Sequence, residues 1–358
     1  MKNEISIVIP TLNESENIIY LFQKIQEALS KSKLTWSIVF VDDSKDDDTS
    51  EEINKIRQSN QNVFLIRRYN SMGLSSALIQ GALSCDSKYI VFMDSDLQHP
   101  PIKILDLYDK IVKDKYDLVS ASRFIFKNNL LNKRRYKISY LVNKILKKFF
   151  KINYNDILTG FFIVEKKFFF KHSKNLSSAG FKLLLDLVIS SKKNISYSEI
   201  PFDFQQRFKG ESKLSNKVLI DFVLLVLDKI FGKILPARYI IYSVVGLTGV
   251  FFQLLTFYII NLFLVFNFSL ILSIFFTICF NYILNNEFTY SDLKKKGYNF
   301  IIGLFKFCFF CSLGALFNFV SAKLIYDYAY NIYLAVFLGA IIGSIWNYSM
   351  NTSFTWKA

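Results

Sequence analysis

The chain has 358 residues, 52% of them hydrophobic, with 38 Phe, 20 Tyr and a formal net charge of +15. The length suits two or three domains, and a mean hydropathy of +0.26 argues against a purely soluble protein. Excess positive charge favours anionic partners, and the long apolar segments late in the chain favour a bilayer surface over nucleic acid.

The N-terminus, "MKNEISIVIPTLNE", reads as the start of a cytosolic domain rather than a secretory signal, because its apolar run is short and is followed by acids. "ISIVIP" predicts a buried strand. "SENIIYLFQKIQEAL" carries apolar residues at helical spacing, with Ser15 as the expected cap. "WSIVFVDD" is a second strand ending in acids, "DDTSEEINKIRQS" a helix, "NVFLIRR" a third strand and "GLSSALIQGAL" a helix after a Gly turn. "YIVFMDSD" is the fourth strand and "DLVSASRF" a fifth. Such alternation predicts a parallel, doubly wound sheet. Ligands bind beyond the carboxyl ends of strands in sheets of that kind. Pro10, Asp42, Asp43, Asp94 and Asp96 all fall at that edge.

The middle of the chain is basic. "KRRYKISYLVNKILKKFFK" (Lys133 to Lys151) puts Ile138, Leu141, Ile145 and Phe149 on one helical stripe, with lysines over much of the rest. Such a helix suits a bilayer interface. "NKVLIDFVLLVLDKIFGK" (Asn216 to Lys233) reads as a second helix lying along the membrane. From Arg238 onward four segments are long and apolar enough to span a hydrocarbon core of about 30 Å. The basic loop "DLKKKGYN" and the basic stretch before the first span put the N-terminal domain in the cytosol. Lys306 falls within the third span, which implies a later helix start or snorkelling.

The spans repeat. Asn281, Tyr282, Asn285, Phe288 and Thr289 are echoed by Asn347, Tyr348, Asn351, Phe354 and Thr355, 66 positions later (347 − 281). A duplicated two-helix unit follows. The repeated Asn residues read as helix-to-helix contacts, with a headgroup path as the alternative. Cys308 and Cys311 have neither a second pair nor a nearby His, so they read as apolar filler rather than a metal site.

The chemistry is expected at "YIVFMDSDLQHPP", Tyr89 to Pro101. Asp94 and Asp96, with Gln98 behind them, present oxygen ligands suited to Mg2+ or Mn2+. A nucleotide diphosphate would complete the shell of such a cation. His99 sits in a Pro-rich turn and is not expected to catalyse.

The motifs "IPTLNE", "VDDSKDDDT", "GLSSALIQG", "MDSDLQHPP", "LTGFF" and "RFKGESKL" occur in the order seen in family 2 glycosyltransferases. From Ile5 to Leu214 the chain resembles the polyprenyl-phosphate glycosyltransferases, the dolichol-phosphate mannose synthases above all. The four-span region resembles a GtrA-like membrane domain. The resemblance implies a GT-A, Rossmann-like, mostly parallel sheet, followed by interfacial amphipathic helices and a four-helix transmembrane domain. It implies boundaries at 1–215 for the cytosolic domain, 216–237 for the interfacial helix and linker, and 238–358 for the membrane domain.

The resemblance also implies site residues. Pro10, Leu12, Glu14, Val41, Asp43, Asp94, Ser95 and Asp96 would bind the nucleotide-sugar donor, with Leu12 where a Tyr is frequent. Asp94, Asp96 and Gln98 would hold the metal. Arg123, Arg135, Ser139, Arg207 and Lys213 would bind the acceptor phosphate, and Asp94, Asp96 and Arg123 would be catalytic. The implied reaction is inverting transfer of a hexose, mannose from GDP-mannose first, to a polyprenyl phosphate. UDP-glucose as donor, or a role in moving lipid-linked sugar, is the alternative. A processive polysaccharide synthase is disfavoured, because "QQRFKG" lacks the expected Trp. A nucleic-acid binder is disfavoured by the spans. Homo-oligomers through the membrane domain are left open.

Overall fold

The computed structural model describes residues 3–69, 73–125, 133–177, 182–191, 195–206, 208–209, 216–232, 234–329 and 331–357. The chain divides into two compact units, Met1–Leu225 and Val226–Ala358.

The first unit is built on one seven-stranded sheet. Its strands are β1 (Ile5–Thr11), β2 (Trp36–Asp42), β3 (Val63–Arg67), β4 (Tyr89–Phe92), β5 (Leu118–Ser122), β6 (Phe162–Glu165) and β7 (Tyr197–Pro201), in the order β3-β2-β1-β4-β6-β5-β7. The helices between them are α1 (Ser15–Ser30), α2 (Asp48–Ser59), α3 (Leu74–Ser84), α4 (Lys103–Asp114), α5 (Lys133–Phe150), α6 (Lys166–Ser173) and α7 (Leu183–Ser190). Strands β1 to β4 are mutually parallel, as the alternating pattern predicts. Only β6 runs the other way, against both β4 and β5, so the sheet is mixed. β1 and β4 are buried along their whole length because helices cover both faces.

Local chemistry sets the details. Gly81 in α3 lets that helix close on the sheet: a Cβ there would lie 2.5 Å from Val8 Cγ1 and 2.9 Å from Val41 Cγ2. The cap of α1 differs from expectation. Glu14 holds the cap position, Ser15 is the first helical residue, and no side-chain cap bond forms. Glu14 turns instead to Asn17, whose Nδ2 donates to it at 2.6 Å.

In α5 the predicted stripe is not the packing face. Ile138, Leu141, Ile145 and Phe149 are 55–57% exposed. The opposite face carries Asn143 and Leu146, both buried. A further helix, α8 (Asn216–Phe231), contains the boundary between the units and exposes Leu219, Val223 and Phe231.

The second unit is helical: α9 (Ala237–Asn261), α10 (Phe266–Leu284), α11 (Tyr298–Ala329) and α12 (Ile332–Met350). Among the described residues three helices have the length and composition of membrane spans: Ala237–Asn261, Phe266–Thr289 and Tyr298–Tyr328. α11 has 32 residues, about 48 Å at 1.5 Å per residue. It begins eight residues before Lys306, so the expected later start is not found. The surplus length leaves Lys306, which is exposed, within reach of the interface.

The repeat is structural as well as sequential. A π-helical turn closes α10 at Asn285–Thr289 and another closes α12 at Asn351–Thr355. In each, the first Asn donates through Nδ2 to the carbonyl four residues back, Asn281 or Asn347, at 2.9 and 2.8 Å. In each, a Thr hydroxyl donates back to that Asn, at 2.6 and 2.7 Å. Asn281 lies against Gly249 of α9, and Asn347 against Gly314 of α11. Small residues let the helix backbones approach closely in a lipid environment. The turns meet in a core where Trp356 stacks on Tyr290 at 4.1 Å and donates Nε1–H to Asn286 Oδ1 at 3.0 Å.

Candidate active site

The carboxyl ends of β1, β2 and β4 lie side by side, and the predicted acids lie just beyond them. Asn13, after β1, has φ +51° and Leu97, after β4, has φ +60°. Non-glycine residues adopt that conformation rarely, and such strain concentrates at functional loops.

Asp42 ends β2, fully buried, and accepts hydrogen bonds from Thr11 Oγ1 at 2.9 Å and Ser44 Oγ at 2.7 Å. It is a structural acid. Asp43 is gripped by Arg68, whose Nε and Nη2 reach its two oxygens at 2.6 and 2.5 Å, and it also accepts from Gly73 N–H at 3.2 Å. Pro10 is buried in β1, Val41 is fully buried in β2, and Leu12 is exposed just past β1.

Beyond β4, Ser95 and Asp96 are buried, while the Asp94 side chain keeps 41% exposure. Gln98 donates its backbone N–H to Asp96 Oδ1 at 3.1 Å and its side-chain amide to Gln205 O at 3.2 Å. The segment after β7 thereby lies along the acids: Gln205 N–H donates to Gln98 O at 3.1 Å, and Phe208 stacks on Tyr20 of α1 at 4.5 Å.

His99 is buried and stacks on Phe161 at 5.1 Å. Its Nδ1 accepts from Asp94 N–H at 3.0 Å, so the proton of the neutral ring is on Nε2, which faces Asp94 Oδ2 at 3.7 Å. Burial pushes the imidazole down to about 4, keeping it neutral. Neither nitrogen has a lone pair for base work. His99 positions Asp94.

Arg123, just past β5, is locked to Asp156. Its Nε donates to Oδ2 at 2.6 Å, its Nη2 to Oδ1 at 2.9 Å, and its backbone N–H to Oδ2 at 3.2 Å. Asp156 is fully buried, and its own N–H is held by Glu199 of β7 at 3.0 Å. Next to it, Ile157 N–H donates to Asn143 Oδ1 of α5 at 2.9 Å, while Phe124 packs edge-on to Tyr136 and Tyr140 of α5. The inner face of α5 is thus pinned to the site, and Ser139 lies on that helix. Arg207 and Lys213 fall outside the described residues, as does the side chain of Arg135.

Two groups were not legible in the sequence pattern: Asp156 and Lys182. Lys182, at the cap of α7, donates to Leu158 O at 2.7 Å. Its charged neighbours are Arg123, Asp94 and Asp156, and burial, with Arg123 adding, brings its ammonium down to about 8. Gly160, two residues on from Leu158, backs the acids: a Cβ there would lie 3.2 and 3.3 Å from the Asp94 oxygens.

Among the described residues no cluster of three or more His, Cys, Asp or Glu could hold a metal unaided. The chemistry of the donor set nevertheless fits a hard cation that is bound by two carboxylates and completes its shell on substrate phosphate, the usual habit of Mg2+. The partial exposure of Asp94 fits the same arrangement.

Two family models match successive parts of the chain. Residues 6–173 match the family model described as glycosyl transferase family 2, and residues 241–356 match that of the GtrA/DPMS transmembrane domain. A dolichol-phosphate mannosyltransferase of Pyrococcus furiosus is 31% identical over 362 residues, covering 99% of each chain. One from Saccharomyces cerevisiae is 31% identical over 235 residues, covering 62% of this chain and 85% of its own length. Among solved structures, glucosyl-3-phosphoglycerate synthase from Mycobacterium tuberculosis in complex with Mn2+, UDP-glucose and glycerol 3-phosphate has a TM-score of 0.49 at 14% identity, covering 64% of this chain and 80% of that one. The chain belongs to the family 2 glycosyltransferases that carry a GtrA/DPMS transmembrane domain. It is an enzyme of the dolichol-phosphate mannosyltransferase-like kind, and an integral membrane protein.

Proposed function

We propose that the chain transfers mannose from GDP-mannose to the phosphate of a dolichol-type polyprenyl phosphate, at the cytosolic face of the membrane and with inversion. One observation carries the reading beyond family membership. The helix that exposes Ile138, Leu141, Ile145 and Phe149 is the same helix whose inner face binds the Asp156–Ile157 segment beside Arg123. A membrane-seeking surface and a cationic site on one element suit an acceptor with an anionic head on an apolar chain.

In this reading all four apolar helices, α9 to α12, span the bilayer, and the basic loop at Lys294–Lys296 is cytosolic by the positive-inside rule. Residues 1–215 form the catalytic domain, 216–237 the interfacial link and 238–358 the membrane domain. Pro10, Leu12, Glu14, Val41, Asp43 and Ser95 line the donor pocket, with Asp43 preset by Arg68. Asp94 and Asp96, with Gln98, would hold Mg2+ or Mn2+, which when bound supplies positive charge for the departing diphosphate.

A lipid phosphate is largely dianionic at neutral pH and needs no general base, which agrees with the blocked nitrogens of His99. Its oxygen bonds to C1 of the sugar as the bond from C1 to the GDP oxygen breaks, and GDP leaves with the electron pair. The protein's task is to position the two anions in line. Arg123, preorganised by Asp156, grips the phosphate. Ser139, Arg135, Arg207 and Lys213 complete the acceptor site.

The test is transfer of label from a panel of nucleotide sugars into polyprenyl phosphate by the purified chain with Mn2+ or Mg2+. Label entering lipid from GDP-mannose supports the reading. Label entering only from UDP-glucose replaces the donor, and no transfer from any donor removes the assignment.

A further inference from the structure

The lysine at the cap of α7 has no part in the scheme above, yet it is built into the centre of the site. Lys182 Nζ is tied at 2.7 Å to the carbonyl of Leu158, at the start of the turn whose Gly160 lies against the Asp94 carboxylate. Arg123, Asp94 and Asp156 are its charged neighbours. Lys182 is half-buried, and an amine that gives up part of its hydration is repaid when it faces carboxylates or anionic ligands.

Among the described residues, the side chains around Asp94 include two cations, Arg123 and Lys182, while His99 Nδ1 is taken by the Asp94 N–H. Arg123 gives Nε and Nη2 to Asp156, and Lys182 adds a second cation beside Asp94. Lys182 therefore opposes a divalent cation at Asp94 while no substrate is present. It turns favourable once an anionic ligand adds negative charge.

We propose that Lys182 is a positioning residue that makes capture of the divalent cation at Asp94 depend on arrival of the anionic substrate. The proposal rests on the reading of Asp94 and Asp96 as the metal-holding pair. It gives the enzyme a reason to keep a lysine beside a metal site: the cation and the nucleotide diphosphate load as a set. Such coupling is reciprocal, so the cation must strengthen nucleotide binding by the factor by which the nucleotide strengthens cation binding.

The test is a titration of the full-length protein in detergent with Mn2+, followed by electron paramagnetic resonance, with and without GDP. No turnover is needed. Removing a nearby like charge is worth about tenfold. Lys182→Met is expected to bind Mn2+ alone about tenfold more tightly than the parent. The enhancement that GDP brings should shrink by the same factor, and Lys182→Arg should behave as the parent. In turnover, Lys182→Met should lower kcat while leaving the acceptor KM within about twofold. A purely structural lysine would weaken Mn2+ binding or leave it unchanged when replaced, and either result overturns the proposal. Lys182→Gln, which keeps a donor toward Leu158, repeats the titration should Lys182→Met fail to fold. Transfer from GDP-mannose by the parent judges the functional reading separately, so the two failures are distinguishable.

Discussion

Replacing Asp156 by Asn tests how Arg123 is held. Asp156 is fully buried and accepts three hydrogen bonds from Arg123, at 2.6, 2.9 and 3.2 Å. The Asn side chain keeps the shape, removes the charge and turns one acceptor into a donor that faces the guanidinium. Arg123 is only 13% exposed and would lose its hydrogen-bonded counter-charge, keeping only the more distant field of Asp94. Breaking a buried pair from one side costs about 3–5 kcal/mol. That corresponds to roughly two to four orders of magnitude faster hydrogen exchange for β1 and β4 amides that exchange by global opening. The assay is exchange mass spectrometry on the full chain in detergent. Arg123→Met combined with Asp156→Leu should recover most of the loss, because neither charge then stays buried alone. Acceleration of less than tenfold in Asp156→Asn would refute the reasoning.

Asp94→Asn and Asp96→Asn should each lower transfer into lipid by about 10²-fold or more, in line with loss of charge stabilisation at a reacting centre, with unchanged hydrogen exchange in β1. Neutral burial of His99 predicts a pH effect on stability. Its folded pKa of about 4 lies below the ordinary 6.5, so the unfolded chain binds the extra proton. Stability should be full above 6.5 and fall by about 3 kcal/mol as pH drops through 4, a loss that His99→Phe should reduce. In the membrane unit, a Cβ at Gly314 would lie 1.9 Å from Asn347 Oδ1. Gly314→Val should therefore cost about 1–3 kcal/mol through overpacking and lower the thermal stability of the solubilised chain. A fluorophore attached at Ile145 should be quenched by brominated lipid, and one attached at Lys113 of α4 should not.

The parallel half of the sheet and the acid edge were legible because their signals are continuous. "ISIVIP", "SIVFV" and "YIVFM" are short apolar runs of strand length, and the last two lead directly into the acids Asp42 and Asp94. The reversed strand β6 was not legible. It has four residues and takes its direction from pairing with β4 and β5, contacts distant in sequence. Asp156 and Lys182 were missed for a related reason. Each is a lone charge in an unpatterned stretch, and its meaning comes from partners 33 and 24 positions away. The stripe of α5 was visible from its spacing, and the lysines around it suggested an interface, but that Asn143 and Leu146 form the packed face was not visible. The 66-residue repeat was visible in the letters, while the π-helical turns that it encodes were not.

The central claim is that the acids beyond β4 receive the leaving nucleotide. The most direct measurement is an experimental structure of the chain with GDP-mannose and Mn2+, with the metal located by its anomalous signal. The account predicts one metal peak in contact with Asp94, Asp96 and the donor diphosphate, and the sugar C1 open toward Arg123. A diphosphate seated away from both carboxylates, or a metal peak elsewhere, would contradict it.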